Sequence, residues 1–93
     1  MQVFSIYDSK AEAYLPPFLA PAPGVALRIV TNAASDPKSD FHRYGDDYTL
    51  FHIGEWDADQ GVVNMSEAHV SYGTVMSIFH STTVQQAAAE EAF

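Results

Sequence analysis

Three carboxylates alternate through one short segment, and carboxylates are the ligands that hard cations such as Ca²⁺ prefer. They are Glu55, Asp57 and Asp59. Counting Asp57 as the first ligand of a calcium loop puts Gly61 at a side-chain ligand position and Ala68 where a bidentate glutamate is needed. We therefore interpret the segment as a solvated hairpin turn.

The four histidines are the next candidates for chemistry. They are His42, His52, His69 and His80, and no two of them have a paired spacing along a helix or a strand. The sequence also lacks a nucleophile elbow, a phosphate loop and a glycine-rich fingerprint. We therefore predict no metal, no cofactor and no enzymatic activity.

Aromatic side chains are numerous, and aromatic platforms stack on bases in single-strand-binding proteins. The candidates are Phe4, Tyr7, Tyr14, Phe18, Phe51 and Trp56. No lysine or arginine is interleaved with them to neutralise phosphates, so a place in the core is the preferred interpretation. If DNA is contacted, the cations expected near it are Arg28, Lys38 and Arg43.

The charge balance favours protein partners over nucleic acid. Four Lys plus Arg against twelve Asp plus Glu give a formal charge of -8, which repels phosphate. Cysteine is absent, which excludes disulfides and permits a reducing compartment. Asp8, Glu12 and two prolines interrupt the first twenty residues, and no apolar run is long enough to span a membrane. These features predict a soluble cytoplasmic protein without membrane contact.

Ninety-three residues suffice for one domain with a small core. We expect this domain to cover residues 1–84, with a mobile acidic tail at 85–93. Because so small a core is marginal, association into a homo-oligomer is expected to supplement it.

The N-terminal third is predicted to form a hairpin and a helix. Val3 to Asp8 and Tyr14 to Leu19 read as extended runs, and Pro16-Pro17 restricts the second run to an edge or ends its pairing. A helix is expected from Pro23 to Ala34, with an apolar face that consists of Val25, Ala26, Ile29, Val30 and Ala33. Asp36-Pro37 ends it, and a short helical turn is possible around residues 39–43.

The strongest strand signal runs from Tyr48 to Asp57. Regular alternation would put one set of its residues on one side, namely Tyr48, Leu50, His52 and Trp56, and the other set on the opposite side, namely Thr49, Phe51, Ile53, Glu55 and Asp57. Residues 57–61 form a turn, and a return strand begins at Val62. Beyond Ser66 the pattern favours a strand or an irregular edge without excluding a helix. The predicted fold is α+β, with a mostly antiparallel sheet of about four to five strands in two hairpins and one main helix.

The C-terminus, Glu90-Glu91-Ala92-Phe93, weakly resembles the acidic, phenylalanine-ended tails of single-stranded-DNA-binding proteins. Such tails dock into basic pockets of replication partners. Glu90, Glu91 and Phe93 are therefore candidate partner-binding residues, although an ordinary terminus is the favoured interpretation.

Three blocks, SIYDSKAEAYLPPF, GVALRIV and DDYTLFHIGEWDADQG, resemble the small nonstructural protein of gokushoviruses. These are microviruses with circular single-stranded DNA genomes, and the resemblance extends from Ser5 to Val62. It implies a nonstructural role in genome replication that assists single-stranded genome synthesis in the host cytoplasm. It supplies no catalytic residues.

Two functions follow. The preferred one is a nonenzymatic accessory protein that contacts viral or host replication proteins or the procapsid. The alternative is a module that binds single-stranded DNA directly through exposed aromatics.

Overall fold

The computed structural model describes residues 1–81, which form a five-stranded antiparallel sheet with helices on one face. The strands are β1 (Gln2–Asp8), β2 (Ala13–Tyr14), β3 (Phe18–Ala20), β4 (Tyr48–Asp57) and β5 (Val62–Thr74). The helices are α1 (Pro23–Ala34), α2 (Asp40–Arg43) and α3, which occupies residues 75–81 of the described chain. A 3-10 turn (Gly45–Asp47) precedes β4. The predicted α+β class is confirmed.

The sheet order is β2-β1-β4-β5, and β3 pairs with the same edge of β1 as β2 does. The second N-terminal run is thus two short strands separated at residues 15–17. Proline lacks the N–H that a ladder needs, which accounts for the interruption at Pro16-Pro17. The prediction that pairing stops there at an edge is confirmed.

Helix α1 has the predicted bounds, but its buried face is rotated from the predicted one. Pro23 occupies its first turn, where the missing N–H is not needed. The buried residues are Ala26, Val30 and Ala34, whereas Ile29 is 44% exposed. The placement of Ile29 on the buried face was therefore wrong.

Helix α2 is fixed by its cap and by a contact with α1. The side chain of Ser39 accepts a hydrogen bond from the His42 backbone N–H, which satisfies one free donor of the first turn. Nδ1 of His42 lies 2.8 Å from the carbonyl oxygen of Ala34. The short helical turn expected here is confirmed.

The core lies between the sheet and the helices. Phe4, Ile6 and Leu50 supply it from the sheet, and the buried residues of α1 meet them together with Val75 and Ile78 of α3. Strands β1 and β4 and helices α1 and α3 therefore share one apolar cluster.

The β4–β5 pairing contains a wide bulge. His52 is opposite Val70 and Gly54 is opposite Met65, so one residue of β4 faces four of β5, residues 66–69. On the other side of β4, Phe4 is opposite His52 and Val3 is opposite Gly54, so Ile53 is an extra residue of β4 and reverses its alternation beyond His52. Trp56 consequently lies on the face opposite Leu50, and the prediction that these two share a face was wrong.

The turn between β4 and β5 is confirmed, with Gly61 at a φ of +70°. The carboxylate of Asp57 accepts hydrogen bonds from the backbone N–H groups of Asp59 and Gln60. These are the contacts of a solvated hairpin turn. Within residues 1–81, no helix has the length and apolar character needed to cross a membrane.

Candidate interaction sites

A cavity of about 460 Å³ lies where the end of β1 meets α2 and the start of β4. We call it the aspartate–tyrosine pocket; its lining residues are Asp8, Lys10, Asp40, Tyr44, Asp47 and Tyr48. Every one of them lies at the end of an element or in a turn, because polar side chains cluster where strands and helices stop. Three carboxylates and one ammonium give the pocket a negative balance.

One guanidinium already contacts two of these lining residues. Nη2 of Arg43 lies 2.8 Å from Oδ1 of Asp40, and the guanidinium carbon lies 5.4 Å from the centre of the Tyr44 ring. The hydrogen bond to Asp40 raises the pKa of Arg43, with further contributions from the charges of Tyr44 and Asp40. A carboxylate next to an aromatic face is the environment that a guanidinium prefers.

The phenol of Tyr48 lies in the same negatively charged environment as Arg43. Partial burial raises the pKa of its phenol, and the neighbouring charges of Asp8, Asp40, Asp47 and Tyr44 raise it further. The phenol therefore stays neutral and can donate a hydrogen bond, while the aspartates favour a positive ligand.

The second site is the sheet face on which no helix of residues 1–81 packs. We call it the uncovered face; the strand register assigns to it Val3, Ser5, Tyr7, Tyr14, Leu19, Thr49, Phe51, Gly54, Trp56, Val63, Met65 and Ser71. The rings of Tyr7, Tyr14 and Phe51 contact one another there, with centroid separations of 4.9 and 5.9 Å. The described helices pack on the opposite face.

The bulge of β5 brings His69 over this aromatic cluster. Its ring lies 5.6 Å from that of Tyr14 and 6.2 Å from that of Phe51. His69 Nδ1 and the Tyr14 hydroxyl are 3.2 Å apart, within hydrogen-bonding distance. His69 in the bulge therefore links β5, at one edge of the sheet, to β2, at the other edge.

The preferred placement of the six aromatics in the core is correct for some of them. Phe4 belongs to the core and Phe18 packs against it, whereas Tyr7, Tyr14 and Phe51 lie on the uncovered face. The alternation of Tyr7 with Ile6 in β1 is the signal that would have separated the two groups.

The predicted DNA-contacting cations lie on three successive segments. Arg28 is on α1, Lys38 is in the connector that follows it, and Arg43 is at the end of α2. All three are exposed, and Arg43 is paired with Asp40. Their contact with DNA stays a prediction. Glu90, Glu91 and Phe93, the candidate partner-binding tail, lie outside the described residues.

The histidines and turn carboxylates do not form a metal centre in the described part of the chain. His52 pairs instead with Glu55, at 3.0 Å between Nε2 and Oε1. No group of three or more histidine, aspartate or glutamate side chains in residues 1–81 is arranged to hold a metal ion.

The fold and the two sites define a small acidic α+β protein whose sheet is covered by helices on one face. The chain belongs to the Phage ORF5 protein family, which it matches over residues 1–80. It is thus a phage-family protein, and the match extends into helix α3. No curated protein and no solved structure matches it.

Proposed function

We propose that this chain is a nonenzymatic, nonstructural accessory protein of a microvirus, similar to the small nonstructural proteins of gokushoviruses. In this proposal it assists single-stranded genome synthesis in the host cytoplasm, mainly through protein contacts. The family match and the quoted sequence blocks support a phage origin, and the acidic surface supports the choice of protein partners.

The observation that carries the proposal is the aspartate–tyrosine pocket. Its carboxylates and aromatic rings suit an arginine side chain, and Arg43 already uses Asp40 and Tyr44 in this way from within the chain. A partner that presents an exposed arginine would enter the remaining space between Asp47 and Tyr48. Replication proteins and procapsids bind nucleic acid and carry such basic surfaces.

Capture experiments with Asp47→Asn test the use of this pocket. The wild-type chain should capture the phage replication initiator or procapsid protein from co-expressing cells, and Asp47→Asn should weaken the capture about tenfold or more, because a buried charge pair is lost. Asp59→Asn is the matched control, since it removes the same charge from the exposed β4–β5 turn. Equal weakening by both variants would show that only net charge matters and would contradict the pocket.

The proposed role in infection needs its own measurement. In cells infected with phage carrying Asp47→Asn, the ratio of single-stranded genomes to duplex replicative DNA should fall, whereas Asp59→Asn should leave it unchanged. An unchanged ratio with Asp47→Asn, despite lost partner capture, would contradict the proposed role in genome synthesis.

Direct binding of single-stranded DNA is the second candidate, supported by the rings of Tyr7, Tyr14 and Phe51 on the uncovered face. The register assigns no lysine or arginine to that face, so the phosphates would be contacted without a local countercharge. A gel-shift assay at low salt tests whether the chain binds single-stranded DNA directly, because electrostatic binding is strongest at low salt. A shift at low salt that is lost in a Tyr14→Ala variant would favour this candidate, because Tyr14 lies on the uncovered face. Loss only in an Arg28, Lys38 and Arg43 triple alanine variant would instead place the DNA on the side of α1 and α2.

A further inference from the structure

The uncovered face has an unusual composition for the outer face of an antiparallel sheet. The solvent-facing side of such a sheet commonly carries polar residues, but this one presents large apolar side chains. Four are well exposed: Tyr14 (47%), Leu19 (41%), Val63 (43%) and Met65 (59%). They come from β2, β3 and β5, so the apolar surface extends across the whole width of the sheet.

The face also differs in charge from the rest of the molecule. The chain has sixteen charged side chains, four basic and twelve acidic, yet the register assigns none of those within residues 1–81 to this face. Glu67, in the bulge, is the one carboxylate on β5. Two copies at -8 each repel one another at most orientations, and an uncharged face gives the approach with the least local repulsion.

The size of the face fits association of two copies. The ten residues of β4 extend about 33 Å and four adjacent strands about 19 Å, which gives about 630 Å² of projected surface. Protruding side chains make the accessible area larger than this projection. A stable interface buries about 800 Å² on each partner, so the face alone nearly supplies one.

We propose that the uncovered face is a homodimer interface, in which two copies pack sheet against sheet about a two-fold axis. Such an interface is isologous, so each copy contributes the same patch and no further partner is needed. The four exposed apolar side chains of one copy contact the same face of the other. The dimer buries a second apolar layer that a chain of this size cannot build alone.

Single lysine substitutions test this interface. Val63→Lys and Met65→Lys each place a charge twice in the two-fold interface, and the dimer dissociation constant should rise about tenfold or more in sedimentation velocity. Leu19→Lys, on the opposite edge of the sheet, should act in the same direction. Ile29→Lys is the matched control because Ile29 is equally exposed but lies on α1, and it should leave the dimer intact.

Trp56 provides a readout on the wild-type chain. It is the one tryptophan in the sequence, and it lies on the uncovered face directly opposite Val63. Dilution should therefore shift its fluorescence to longer wavelength over the same concentrations at which the measured mass falls. Circular dichroism of each variant confirms that the fold is kept.

Three outcomes would overturn the proposal. The first is a wild-type chain of single-chain mass at all concentrations, whether or not it then binds single-stranded DNA or another protein. The second is a dimer that Ile29→Lys disrupts and the face variants do not. The third is a dimer whose dissociation leaves Trp56 fluorescence unchanged. Asp47→Asn should not alter the dimer, so this test is separate from that of the aspartate–tyrosine pocket.

Discussion

The hydroxyl of Tyr14 and Nδ1 of His69 lie 3.2 Å apart, although 55 residues separate them in the chain and two strands lie between theirs in the sheet. The contact exists because four residues of β5 face the single residue Ile53 of β4. The bulge therefore has a defined consequence, which is to carry an imidazole over the aromatic cluster of the uncovered face.

Tyr14→Phe tests the energetic weight of that hydrogen bond. The free energy of unfolding should fall by less than about 1 kcal/mol, because the bond is exposed and the ring contacts remain. His69→Ala should cost more, since it also removes ring contacts with Tyr14 and Phe51. Urea unfolding at equal protein concentration measures both. Equal losses would mean that the hydrogen bond, not ring packing, holds the bulge.

Gly54→Ala tests the close approach of β4 and β5. A Cβ at this position would lie 2.6 Å from the carbonyl oxygen of Asn64, which is backbone and cannot easily move away. We expect a loss of about 1 to 3 kcal/mol in the free energy of unfolding.

Gly24→Ala is the control for this substitution. No atom lies within 4 Å of its added Cβ, and alanine is the better helix former, so stability should be unchanged or rise by up to about 1 kcal/mol. If both alanine variants were equally stable in urea, the strand approach at Gly54 would be looser than described.

Neighbouring residues of α1 test the orientation of that helix. Val30 is 2% exposed, so Val30→Ala should cost about 2 kcal/mol from lost burial and the cavity left behind. Ile29→Ala removes a larger but exposed side chain and should cost less than about 1 kcal/mol. A loss with Ile29→Ala as large as that with Val30→Ala, in thermal or urea unfolding, would indicate that Ile29 is buried as the periodicity predicted.

Tyr48 makes a prediction for alkaline pH. Its pKa is raised in the folded state by burial and by nearby aspartates, so the folded chain holds the phenolic proton more tightly than the unfolded chain does. This contribution to stability is full below the unfolded pKa of about 10 and is lost as pH rises through the folded pKa.

Tyr48→Phe should therefore reduce the decline of stability above about pH 10. The ring contact with Phe41, at 4.8 Å between centroids, is kept in this variant. Unfolding by urea at a series of alkaline pH values measures the slope. An unchanged slope would show that Tyr48 does not carry the linkage.

The elements predicted best are those whose ends are marked in the sequence by prolines or turn residues. Pro23 and Asp36-Pro37 bracket α1, and the Asp57-to-Gly61 turn ends β4, so both sets of bounds followed from the sequence. The interruption at Pro16-Pro17 was predictable for the same reason.

What the sequence did not reveal depends on pairing between distant residues. Ile53 has no partner in β1, and this extra residue reverses the face of Trp56. Nothing near Trp56 in the sequence encodes it, nor the three extra residues of β5 opposite Ile53. Both candidate sites have the same origin. Asp8 meets Asp47, and Tyr14 meets His69, only after β1 and β4 have paired.

The central claim is that this phage protein acts through protein contacts, and its mass in solution tests that claim most directly. Light scattering should be recorded across a range of concentrations at low salt, alone and with single-stranded DNA. We predict the mass of two 10.2 kDa chains, unchanged by the DNA. A single-chain mass that rises when DNA is added would contradict this account and establish a DNA-binding monomer.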